Sequence, residues 1–275
     1  MKNHTIKKLF DEEGKLTLEL LRPTLIPQVP PKEEITLPTE LNYQEAMDRL
    51  IGNSKADDIS HQIASFIARA SGLVNELAKD YRTEKVLVNR YFPIFLGQET
   101  ITDLGVSTKL SIEAFVKRYR AFTNKQINRG SGPSCVTTAF RYKQLEKKVK
   151  TSKGSHYKKL MDKREQAAVV ALYIPGALQA NSPETLAALM RLLPKGFALA
   201  SPRETAVVMT MYMEDLLGQQ KYSTHIFNCA ATVYTRYKQR TFAVSLHSQQ
   251  FYFGGSDIKT KHGVDSFDLL YFEQT

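Results

Sequence analysis

Cysteine occurs only twice in the 275 residues, at Cys135 and Cys229, with no CxxC and no histidine at zinc-ligand spacing. A disulfide framework and a zinc site are excluded on that count, and a reduced, intracellular (cytoplasmic) compartment is expected. No apolar run approaches the roughly 18 residues of a membrane-spanning helix, and residues 1–15 are too charged for a secretory leader. Catalytic signatures are also missing. The histidines His4, His61, His156, His225, His247 and His262 are isolated, and the sequence holds no HExxH, no carboxylate pair at metal-ligand spacing and no nucleophile elbow. The reading is therefore a protein without enzymatic activity, cofactor or metal.

Acid is the component most unevenly withheld. Residues 117–164 carry fifteen Lys/Arg against two acids, Glu146 and Asp162, while the rest of the chain has 23 basic and 26 acidic residues. A local excess of this size calls for a polyanion, and nucleic acid is the commonest one.

Five of the eleven prolines lie at Pro23, Pro27, Pro30, Pro31 and Pro38. Each fixes φ and removes a backbone donor, so residues 1–40 are expected to form an extended arm, able to dock on another copy in a homo-oligomer. Helical periodicity then begins. Met47, Leu50 and Ile51 suggest one short helix, and Ile59, Ile63, Phe66, Ile67, Ala70, Leu73, Val74 and Leu77 mark the apolar stripe of a longer one. Two more helix starts are announced by Ser182-Pro183-Glu184-Thr185 and Ser201-Pro202-Arg203-Glu204, each a hydroxyl N-cap followed by proline, with Glu204 as capping-box partner. Residues 83–91 are expected to continue the bundle, 139–150 and 155–173 to add helices, and Ile226, Phe227, Val233, Tyr234 and Tyr237 to form an aromatic one. Only after 240 does the period change to two, at Phe242, Val244 and Leu246.

The fold expected is mainly α (α+β): a multi-helix bundle with the Pro-rich arm and a small antiparallel β element at the C-terminus. The division expected is 1–40 arm, 41–164 helical domain with the basic region, and 165–275 helical core ending in a β hairpin.

Within the basic region, residues 98–104, the turn Gly105-Val106-Ser107 and the helix after it resemble a helix-turn-helix in pattern. Ile112, Phe115, Val116, Tyr119 and Phe122 share one face of the second helix, and Lys109, Glu113, Lys117, Arg120 and Asn124 share the other. Arg118, Lys125, Arg129, Arg141, Lys143, Lys147, Lys148, Lys150 and Lys153 extend the cationic surface. Lys158 and Lys159 fall in a first helical turn, where a bound anion would offset their repulsion from the helix dipole, with Ser152 and Ser155 as extra donors; Lys163 and Arg164 follow. Tyr142 and Tyr157, bracketed by cations, are the candidates for stacking on unpaired bases. Function is read as nucleic-acid binding, DNA slightly ahead of RNA, in a regulator or replication and maintenance factor of a mobile element. The alternatives are an RNA- or single-strand-binding nucleoprotein, and a scaffold that applies the basic face to an anionic membrane or acidic partner.

Overall fold

A computed structural model describes residues 9–16, 37–39, 41–51, 56–80, 82–88, 90–97, 136–138, 149–180, 182–212, 215, 225–234, 240–247, 250–257 and 265–274. In chain order the elements are α1 (Tyr43–Ile51), α2 (Ala56–Lys79), a 3-10 turn (Glu84–Val88), β1 (Phe92–Leu96), β2 (Val136–Thr138), β3 (Val149–Thr151), α3 (Tyr157–Gln166), β4 (Val169–Ala180), α4 (Pro183–Leu192), β5 (Phe197–Leu199), α5 (Pro202–Met211), β6 (His225–Tyr234), β7 (Arg240–His247), β8 (Gln250–Asp257) and β9 (Asp265–Phe272).

These residues do not form a helical bundle. They make an α+β fold in which the five described helices accompany a four-stranded antiparallel sheet of order β1-β4-β9-β5 and a five-stranded sheet of order β2-β8-β7-β6-β3. Of the stretch 83–91 expected as helix, the described part forms only the 3-10 turn Glu84–Val88; β1 follows it and accommodates Pro93 at a sheet edge, the place where a missing ladder donor is tolerated. Two segments expected as helix contain strand instead. The first is β4, whose Val169 to Ile174 are all buried, so its apolar run carries neither a period of two nor one of 3.6. Its pairing with β9 shifts register between Ile174 and Leu178, across Pro175 and Gly176. The second is β6, where Cys229, Ala230, Ala231 and Thr232 are buried in succession. Residue 149, expected near a helix end, instead begins β3.

Helices form where local chemistry specifies them. Ile63, Phe66, Ala70, Leu73, Val74 and Leu77 of α2 are buried on one face, as steps of three and four require. Ser182 caps α4 by accepting from Thr185 N at 3.1 Å. Ser201 and Glu204 form the expected capping box of α5. Phe10 and Leu16, from the segment read as arm, are 1% exposed and pack in the core, with Leu16 N donating to Ala177 O at 2.8 Å.

Within the hydrophobic core a small buried polar group links β4, β9, α5 and β6. Asp268 of β9 is fully buried and accepts from the Tyr173 hydroxyl at 2.7 Å and Gly176 N at 2.8 Å, while Lys15 Nζ donates to Gly176 O at 3.1 Å. Burial, only partly offset by these donors and by the Lys15 charge, raises its pKa to about 7. Thr205 bridges Tyr173 to the Cys229 thiol, whose own pKa is pushed well up by burial. No described helix is long and apolar enough to cross a membrane.

Candidate nucleic-acid interface

The described part of the basic window is the short uncharged strand β2, paired with β8, and then a strand, a tight turn and a helix. β3 pairs antiparallel with β6 at the sheet edge, Val149 opposite Tyr234 and Thr151 opposite Thr232. The chain then turns through Ser152, Lys153, Gly154 and Ser155. Ser152 N donates to Ala231 O at 2.8 Å and its hydroxyl to Ala230 O at 2.6 Å, while the Ser155 hydroxyl donates to Ser152 O at 2.8 Å. Each hydroxyl proton is therefore used within the fold, Ser152's on β6 and Ser155's inside the turn, and does not serve a phosphate, the role the sequence suggested. Gly154 sits at φ 79°, in the left-handed region.

His156, not Ser155, is the N-cap of α3, also left-handed at φ 56°, and makes no side-chain cap bond to the helix. Its Nδ1 lies 3.0 Å from Phe197 O, and Leu199 N donates to Ser155 O at 3.0 Å, so β5 holds the turn from below. Burial lowers the His156 pKa; the Phe197 carbonyl opposes that and Lys159 reinforces it. The ring is thus biased toward the neutral form.

One face of α3 consists of Tyr157, Leu160, Met161 and Arg164, all buried. Two expected contact residues are thereby removed from the surface. Tyr157 is 0% exposed, and its hydroxyl lies 2.8 Å from Ser201 Oγ and donates to Glu204 Oε1 at 3.1 Å. Such a ring cannot stack on a base. Arg164 is 2% exposed; its guanidinium donates to Gly97 O at 2.9 and 3.3 Å and lies 3.6 Å from Glu204 Oε1. Both side chains fasten α3 to the capped end of α5.

The opposite face is where the cations remain. Lys150, Lys153, Lys158 and Lys159 are exposed, Lys163 is half-buried, and Asp162 and Glu165 occur only in the later part of the helix. Residues 149–159 thus present four exposed lysines and no acid on a frame fixed by buried bonds. Lys109, Lys117, Arg118, Arg120, Lys125, Arg129, Arg141, Tyr142, Lys143, Lys147 and Lys148, together with the helix-turn-helix pattern, lie outside the described residues. Among the described residues no group of three His, Cys, Asp or Glu is placed to hold a metal ion.

The anchoring set Ser201, Glu204, Tyr157 and Arg164 escaped sequence reasoning as a unit, although its parts were visible. The capping box announced Ser201 and Glu204, and the spacing of 157, 160, 161 and 164 is an inward helical stripe. Comparison with protein-family models, curated proteins and solved structures returned no match.

Proposed function

We propose that the chain is a non-enzymatic nucleic-acid-binding protein whose basic region neutralises backbone phosphates. The observation that carries this reading is the acid-free run of exposed Lys150, Lys153, Lys158 and Lys159 on a rigidly anchored turn, inside the window that holds the chain's whole cationic excess. Surface lysines alone serve solubility or shield a sheet edge, as Lys150 does on β3. Here they continue a longer cationic sequence on an otherwise acidic chain, the composition of a polyanion site. A regulatory or maintenance role on DNA is the finer reading, and it rests on the helix-turn-helix pattern of the sequence.

Fluorescence anisotropy with duplex DNA, single-stranded DNA and RNA across a salt series tests the proposal. Affinity should fall log-linearly with salt, and reversing the four lysines to glutamate should reduce the slope by about 3 to 4, at about 0.9 per phosphate on duplex and about 0.7 on single strands. Absence of binding to all three ligands at low salt refutes the reading; binding only to vesicles of anionic lipid supports the membrane-scaffold alternative instead.

A further inference from the structure

A cavity of about 380 Å³ opens where the end of α2, the turn between α4 and β5, and the end of β9 converge. Its lining includes Glu76, Asp80, Arg82, Lys195, Phe197 and Tyr271. The wall is aromatic: the rings of Phe197 and Tyr271 lie 4.8 Å apart at 48°. Tyr271 reaches this position because Gly196, at φ 91°, has no Cβ; one built there would stand 2.6 Å from the ring. Asp80 is matched by Arg82, which holds both its carboxylate oxygens at 2.7 to 3.2 Å. Glu76 lies beside the Tyr271 hydroxyl, and Lys195 is exposed. The volume suits a nucleoside-sized ligand, since small-molecule sites begin at about 300 Å³.

The cavity adjoins the lysine-bearing turn. Phe197, part of its wall, takes His156 Nδ1 on its carbonyl, and the same strand holds Ser155 through Leu199 N. We propose that this cavity receives an unpaired guanine from a strand whose phosphates lie on Lys158 and Lys159, with Glu76 accepting the base's N1–H and N2–H donors. The inference rests on the nucleic-acid reading above. Among the bases only guanine presents two adjacent N–H donors on its pairing edge, matching the two oxygens of a carboxylate. Adenine and cytosine set a ring nitrogen acceptor beside the amine, and uracil and thymine flank one N–H with two carbonyls, so each opposes an oxygen of Glu76 with a lone pair. The rings of Phe197 and Tyr271, 1% and 5% exposed, form the wall of the cavity and offer no face for stacking, so the base is held by its pairing edge. Lys195 meets the adjoining phosphate.

The full chain should bind a short oligothymidylate containing one central guanine about tenfold more tightly than the plain oligomer, the discrimination typical of a bidentate base contact. Glu76→Gln should abolish that preference, so that the guanine-containing and plain oligomers bind the variant with equal affinity. Tyr271→Phe, which keeps the aromatic wall, should preserve the preference. Guanosine monophosphate alone, titrated by NMR, should shift resonances of Lys195 and Gln274. Equal affinity of the wild-type chain for both oligomers overturns the guanine site and leaves the phosphate reading intact. Binding to neither oligomer while guanosine monophosphate still shifts the cavity supports the site and overturns the polyanion reading. Silence in both measurements overturns both.

Discussion

Replacing Asp268 by asparagine should change the protein's response to pH more than any other single substitution in the core. The carboxyl is fully buried, its pKa is raised from 3.8 to about 7 by burial, and the groups facing it are the Tyr173 hydroxyl, Gly176 N, the Lys15 ammonium and, further off, the Cys229 thiol. A group with a raised folded-state pKa contributes stability that is complete below its unfolded value, near pH 4, and lost as pH rises through 7. Over the full window the difference is worth about 4 kcal/mol, and between pH 5 and pH 8 about 2.5 kcal/mol, at about 1.4 kcal/mol per unit. In urea this corresponds to a midpoint lower by about 1 M or more at pH 8 than at pH 5, given slopes of about 1–3 kcal/mol per molar. Asparagine retains the acceptor for Gly176 N, and the Tyr173 hydroxyl can reverse its role by donating to Thr205, 2.9 Å away. Asp268→Asn should therefore fold and lack this component of the pH dependence. Parallel midpoint-against-pH curves for the two proteins would refute the reasoning, because His156 and the other titrating groups are common to both.

Tyr157→Phe should lower stability by about 1 kcal/mol, the usual net worth of a buried hydrogen-bonded hydroxyl, and leave nucleic-acid affinity unaltered, as thermal melts and anisotropy would show. A large affinity loss from a variant that stays folded would return Tyr157 to the binding surface. Gly154→Ala and Gly196→Ala should separate two costs of a left-handed residue. At Gly154 the added Cβ meets only Met190 Cβ at 3.7 Å, so the loss should be the conformational term of about 1 kcal/mol. At Gly196 the clash with Tyr271 comes on top, and chemical denaturation should show the larger drop there.

What could be read from sequence was what local chemistry decides. The caps at Ser182 and Ser201 set the starts of α4 and α5 because a hydroxyl, a proline and an acid within four residues suffice. The stripe of α2 was equally local. β4 and β6 were misread as helix because strands buried along their length lose the alternation that identifies them, and for β4 the partner β9 lies far along the chain. At the site, charge drew attention to Tyr157 and Arg164, yet position on the helix overrules charge: both fall on the stripe with Leu160 and Met161, whereas Lys158 and Lys159 fall off it. The cavity had no sequence signal, since Glu76, Lys195 and Tyr271 meet only through the tertiary fold.

The four-stranded sheet has a consequence for how the protein is made. β9, the last of the nine described strands, is inserted between β4 and β5, and brings Asp268 with it. On the ribosome, β4 must wait for roughly 85 further residues before its partner emerges, about 4 to 17 s at ordinary synthesis rates. Throughout that interval the edge of an almost wholly apolar strand stands open to pairing with other nascent chains. Polysomes crowded on one message are thus the setting in which β4 is most exposed to misassembly, and β9 is the strand that closes the four-stranded sheet.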